Sequence, residues 1–139
     1  MCVAKFKVMQ TTYINWDGAG HRISLVSVCV LIVEDEPLIA LDLHAALSSA
    51  GAGIIAATDT DEALKLIRRN DVSAAVLDIS LGEHDCTAVC QALLHHRVPF
   101  LFYTGYANTR MLQAWPQAPV LIKPVSHQEI VACVAQLVY

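Results

Sequence analysis

The stretch Val-Cys-Val-Leu-Ile-Val-Glu-Asp-Glu-Pro, residues 28–37, decides the fold. Its first six residues form an unbroken, mostly β-branched apolar run of strand length. There is no alternation of the kind that marks a strand with one wet face, so the run predicts a parallel strand buried on both sides. It stops abruptly on Glu34, Asp35 and Glu36. Pro37 then suits the first turn of a helix, and Glu36 reads as the residue that precedes it. A buried strand, a cluster of acids and a helix start together make one half-turn of an α/β protein. In such sheets the functional groups collect at the carboxyl ends of the strands.

The same grammar repeats along the chain. Apolar runs at 53–57, 74–77, 99–103 and 120–122 predict four further strands. Between them lie segments of helical period. Leu38, Leu41, Ala45 and Leu47 mark the inner face of the first helix, and Gly51 its stop. Asp59 with Glu62 opens a second helix, which turns Ala63, Leu64 and Ile67 inward. A third covers about 85–95. A short fourth, about 108–115, ends at Pro116. Ser126 with Glu129 opens the last, which buries Ile130, Val134 and Leu137. Five strands alternating with five helices predict a parallel sheet covered on both faces by right-handed crossovers. Residues 1–27 lack this order, and Asn15, Asp17, Gly18 and Gly20 interrupt them. We read 1–27 as an N-terminal extension, either disordered or draped on a domain formed by 28–139.

Polar residues with chemical potential sit just past the strands. Glu34 and Asp35 follow the first, Asp78 the third, Thr104 the fourth and Lys123 the fifth. In a parallel sheet these ends share one rim. Crowded carboxylates repel and call for a cation, and hard oxygen donors favour Mg²⁺ over zinc. With an ammonium and a hydroxyl added, the set suits phosphoryl transfer, with Asp78 as nucleophile. Each residue alone has a plainer explanation. Asp78 suits a cap, Thr104 before Gly105 a turn, and Lys123 before Pro124 a solvated surface. It is their joint placement at four strand ends that points to a site.

Composition removes other classes. The hydrophobic share of 55% supports a sizeable core, and a formal charge of −4 argues against a nucleic-acid-binding surface. Lys65, Arg68 and Arg69 read as a solvated helix face. The longest apolar run, 26–33, is too short for a membrane span, which needs about 20 residues. No signal peptide is evident. Five cysteines without a CxxC pair suggest free thiols in a reducing cytoplasm. Cys86 and Cys90, near His84, His95 and His96, could form a soft-metal site, but small hydrophobes on a helix is the simpler reading.

The segments Val-Leu-Ile-Val-Glu-Asp-Glu-Pro (30–37), Ala-Val-Leu-Asp-Ile-Ser-Leu (75–81), Tyr-Thr-Gly-Tyr (103–106) and Leu-Ile-Lys-Pro (121–124) resemble the receiver domains of bacterial two-component response regulators. The resemblance spans about 28–139 and implies a flavodoxin-like (βα)5 doubly wound parallel sheet of order 2-1-3-4-5. It implies that Asp78 is the phosphoacceptor, and that Glu34, Asp35, Asp78 and the main-chain carbonyl of Ser80 hold Mg²⁺. It further implies that Thr104 is the switch hydroxyl, that Lys123 pairs with the phosphoryl group, and that the Lys123–Pro124 bond is cis. The donor would be a sensor histidine kinase or a phosphotransfer protein.

Two features depart from the family's pattern. Val120 stands where an aromatic residue is frequent, leaving Tyr103 or Tyr106 as substitutes. Gly105 follows Thr104, as in a subclass of stand-alone receivers with a Phe-x-Thr-Gly fourth strand, and eases rearrangement there. The chain ends after the fifth helix, so its expected output is binding of a protein effector, as a monomer or weak dimer, rather than enzymatic turnover. Met111, Leu112 and Trp115, with Tyr106, offer a partner surface unless they pack inward. A relay shuttle or phosphate sink has the same chemistry, and a phosphorylation-independent interaction protein is a more distant alternative. A dehalogenase-type phosphatase would need an acid where Ser80 stands.

Overall fold

A computed structural model describes residues 22–81, 84–105 and 109–139. Five parallel strands form the sheet: β1 (Cys29–Val33), β2 (Gly53–Ala57), β3 (Ala74–Leu77), β4 (Phe100–Thr104) and β5 (Val120–Ile122). Their spatial order is 2-1-3-4-5, the order the resemblance implies. The helices are α1 (Pro37–Ser49), α2 (Thr60–Arg69), α3 (Thr87–His95), α4 (Thr109–Ala114) and α5 (His127–Val138). A short antiparallel ribbon, Ser80–Leu81 against His84–Asp85, follows β3 and was not foreseen. Among the described residues no helix is long and apolar enough to cross a membrane.

Strand alternation divides the core into two layers. Val30, Ile32, Val76, Leu101, Tyr103 and Leu121 face α1 and α5. Leu31, Val33, Leu77, Phe100 and Phe102 face the layer of α2, α3 and α4. Each central strand is therefore buried on both sides, which explains its continuous apolar sequence. Cys86 and Cys90 lie in the second layer, fully buried with Sγ atoms 3.9 Å apart, and act there as small apolar side chains. The preceding segment also contributes. Ile23 and Leu25 are buried in the first layer, the Leu25 N–H donates to the Ala50 carbonyl at 2.7 Å, and the Tyr139 hydroxyl donates to the Ser24 carbonyl at 2.8 Å.

The helix boundaries follow their capping chemistry. The Asp59 carboxylate accepts the Glu62 N–H at 2.8 Å. Ser126 and Glu129 form a reciprocal capping box on α5. Glu36 occupies the N-cap of α1 ahead of Pro37, but its side chain caps nothing. The face assigned to α1 is corrected. Leu43, Ala46 and Leu47 point inward, while Leu38 and Leu41 are 80% and 65% exposed. This helix is apolar nearly all round, so two stripes compete, and the one continuing to Ala50 meets the sheet. On α4 the alternative of inward packing holds. Met111 is buried, and Leu112 and Trp115 pack against the core, with the Trp115 ring edge-on to Phe100 at 5.8 Å. They support the fold rather than a partner surface. Tyr106, joined to them in the sequence reading, lies outside the described residues.

The α1 correction predicts an asymmetry within one helix. Leu47→Ala should cost about 2–5 kcal/mol in urea unfolding, and Leu38→Ala less than about 0.5. Equal losses would restore the original face assignment.

Candidate functional site

All the strand-end residues except those of β2 meet at one rim. Glu34 follows β1, and its N–H donates to the Ala57 carbonyl at 3.0 Å, so the sheet ladder fixes where its side chain emerges. Asp78 follows β3 and is held the same way, its N–H donating to the Val33 carbonyl at 3.0 Å. Thr104 is the last residue of β4, one position later than the sequence suggested for the strand's end, and is 1% exposed. Its carbonyl accepts the N–H of Lys123, which follows β5, at 2.9 Å. The Lys123–Pro124 peptide bond is cis.

Lys123 is the hub. Its Nζ donates to Glu34 Oε1 at 2.6 Å and to Asp78 Oδ2 at 3.2 Å, joining residues 89 and 45 positions away in sequence. Glu34 is 2% exposed, and its other oxygen accepts the Glu36 N–H at 3.2 Å. The second oxygen of Asp78 accepts the Ser80 N–H at 3.2 Å, which orients the carboxylate from the loop beyond β3. Asp35 is exposed, yet it offers a carboxylate oxygen within 4.8 Å of those of Glu34 and Asp78. Sequence reasoning placed an ammonium near the acids, but not its direct bridge between two of them. The signal was a lone lysine among three acids.

Two carboxylates share the Lys123 ammonium and that of Asp35 lies beside them, so negative charge is concentrated at the rim. Burial pushes the Glu34 pKa up from its ordinary 4.5 to about 7, opposed by the hydrogen bond from Lys123 and reinforced by the charge of Asp78. Lys123 is itself held above its usual range, because its bonds to Glu34 and Asp78 outweigh its burial. The donor set fits a hard divalent cation: oxygen ligands only, clustered tightly, with more negative charge than Lys123 balances. One exposed edge, at Asp35, gives such an ion access.

The Glu34 shift has a definite sign in stability. The folded state holds this proton between pH 4.5 and about 7, where the unfolded chain has released it. Stability contributed by this group is therefore complete below 4.5 and declines as pH rises to about 7. Glu34→Gln should flatten that decline in denaturant midpoints measured across the interval, and an unchanged slope would contradict the assignment.

Comparison with known proteins bears on the family and the fold. The chain is 32% identical over 129 residues to the phyllosphere-induced regulator PhyR of Methylorubrum extorquens, a match covering 88% of this chain and 48% of that protein. It thus spans about half the length of that curated relative. The structure of PhyR from Brucella abortus matches with a TM-score of 0.68 at 29% identity, over 79% of this chain and 47% of that one. A response regulator receiver protein from Sinorhizobium medicae matches in fold with a TM-score of 0.74 at 22% identity, over 80% of this chain and 94% of that one. The family described as the response regulator receiver domain matches residues 30–135. The chain belongs to the response regulator receiver domain family.

Proposed function

We propose that this receiver domain is a phosphorylation switch with Asp78 as its acceptor. The observation that carries the reading is the Lys123 ammonium seated between Glu34 and Asp78, at 2.6 and 3.2 Å, beside a third carboxylate. An Asp78 oxygen attacks the phosphorus of a phosphohistidine on a sensor kinase or phosphotransfer protein. The O–P bond forms as the N–P bond breaks, and the electron pair returns to the departing imidazole. Glu34, Asp35, Asp78 and the main-chain carbonyl of Ser80 would hold Mg²⁺, which when bound offsets charge on the phosphoryl oxygens. Lys123 leaves its carboxylates to pair with one phosphoryl oxygen, and the Thr104 hydroxyl donates to another. Ser80, exposed two residues beyond the acceptor, supplies no general acid for rapid hydrolysis, which favours a persistent acyl phosphate.

Leu38 and Leu41 are exposed on the first turns of α1, just beyond Asp35 and Glu36. A protein presenting a phosphohistidine to Asp78 would cover them. Phosphorylation then shifts a two-state equilibrium that an effector reads. We place this exchange in the cytoplasm, a reading supported by the reduced state of Cys29, Cys86, Cys90 and Cys133 among the described residues. We also take residues from 28 onward as the functional domain.

Acetyl phosphate with Mg²⁺ should add one phosphoryl group to the intact protein by mass spectrometry, and Asp78→Asn should take none. Full labelling of that variant would refute the acceptor assignment. Beryllofluoride should bind only with a divalent cation present, so binding that survives excess chelator would remove the metal role. Val120→Tyr should be labelled like the wild type, because Val120 packs in the layer away from Lys123. Loss of labelling there would mean the position is part of the acceptor machinery.

A further inference from the structure

Tyr103 immediately precedes Thr104 on β4, and strand alternation sends its ring into the layer facing α1 and α5, where it is 5% exposed. The ring centroid lies 5.6 Å from Lys123 Nζ. That is within the range of about 6 Å at which an ammonium is attracted to an aromatic face. Val125 packs against the same core, and its backbone is hydrogen-bonded to the Tyr103 phenol. One side chain therefore contacts both Lys123 and the residue two positions beyond it. Burying a tyrosine is favourable when its hydroxyl finds such a partner.

The three anchors of the ammonium differ in kind. Glu34 and Asp78 are carboxylates, and a divalent cation or an arriving phosphoryl group competes for both. The aromatic face of Tyr103 is open to neither competition. Val120, at the position where an aromatic is frequent in the family, lies in the opposite layer and cannot supply this contact.

We propose that Tyr103 is a positioning residue that keeps the Lys123 ammonium in the pocket while its carboxylate partners are taken up. The inference rests on the reading of Asp78 as phosphoacceptor. The ring supports the lysine from beneath, so Lys123 can exchange a carboxylate for a phosphoryl oxygen without swinging into solvent.

The test uses the full chain with carbon-13-labelled lysine, the Lys123 signal being assigned by its disappearance in Lys123→Arg. In the wild type the ε-methylene protons should be shifted upfield by the Tyr103 ring current. Tyr103→Phe should keep that shift, and Tyr103→Leu should lose it. Beryllofluoride affinity and the rate of Asp78 labelling should fall about three- to tenfold in Tyr103→Leu and stay within about twofold in Tyr103→Phe. If Tyr103→Leu does not fold, the wild-type and Phe spectra decide alone. An unshifted ε-methylene in the wild type, with normal labelling, overturns the inference and leaves the acceptor reading intact. So does a folded Leu variant labelled at the wild-type rate. A wild-type protein that takes no label overturns the acceptor reading and this inference with it.

Discussion

The bridge from Lys123 to Glu34 and Asp78 is the contact around which the functional rim is organised. It gathers the ends of β1, β3 and β5 into one electrostatic unit. Neither carboxylate is held by that bridge alone. Backbone hydrogen bonds of the sheet fix where each side chain leaves the chain, so the ammonium meets groups already in place. The geometry thus comes from strand register and the affinity from charge. A buried carboxylate without the lysine would be expensive, and a buried lysine without the carboxylates equally so. The three residues stabilise one another, and none could be exchanged without retuning the other two.

Much of this was legible in the sequence, for identifiable reasons. Strands buried on both faces have no competing period, so runs such as 74–77 could be read directly, and Asp78, Thr104 and Lys123 stood out as the first polar residues beyond such runs. Capping at Asp59 and Ser126 was legible because it is local chemistry. The inner face of α1 was not, since a helix with leucines on several sides carries two plausible stripes and only the partner layer chooses. The apolar residues of α4 were ambiguous for a similar reason. Six residues do not establish a period, and burial of Met111 depends on the layer it joins, where the Thr87 hydroxyl of α3 meets its sulfur at 3.5 Å. The ribbon after β3 has strands of two residues, below the length at which a pattern exists.

The rim also has the properties that the proposed switch needs. It carries more negative charge than its ammonium offsets, and one of its acids retains a proton close to neutrality. In the proposed switch, a phosphoryl group on Asp78 would carry roughly two negative charges in place of the carboxylate's one, and would hold them on three outward oxygens. Its arrival would thus offer the Lys123 ammonium stronger acceptors than the carboxylates it now bridges. Because the Lys123 N–H is bonded to the Thr104 carbonyl, displacement of either residue loads the other strand end. Gly105 lies beside the lysine stem, where even an added Cβ would stand 4.0 Å from Lys123 Cδ, so the stem is not crowded from that side.

The bond between the Tyr139 hydroxyl and the Ser24 carbonyl has an architectural consequence. Helices that follow parallel strands run back against them, so the end of α5 and the stretch around Ser24 and Leu25 lie at the pole of the sheet away from the acids. The described segment around Ser24 and the last residue of α5 are thus tied together at that far pole. The described domain therefore has a fastened base and an acidic rim at opposite poles, like the handle and the working end of a tool.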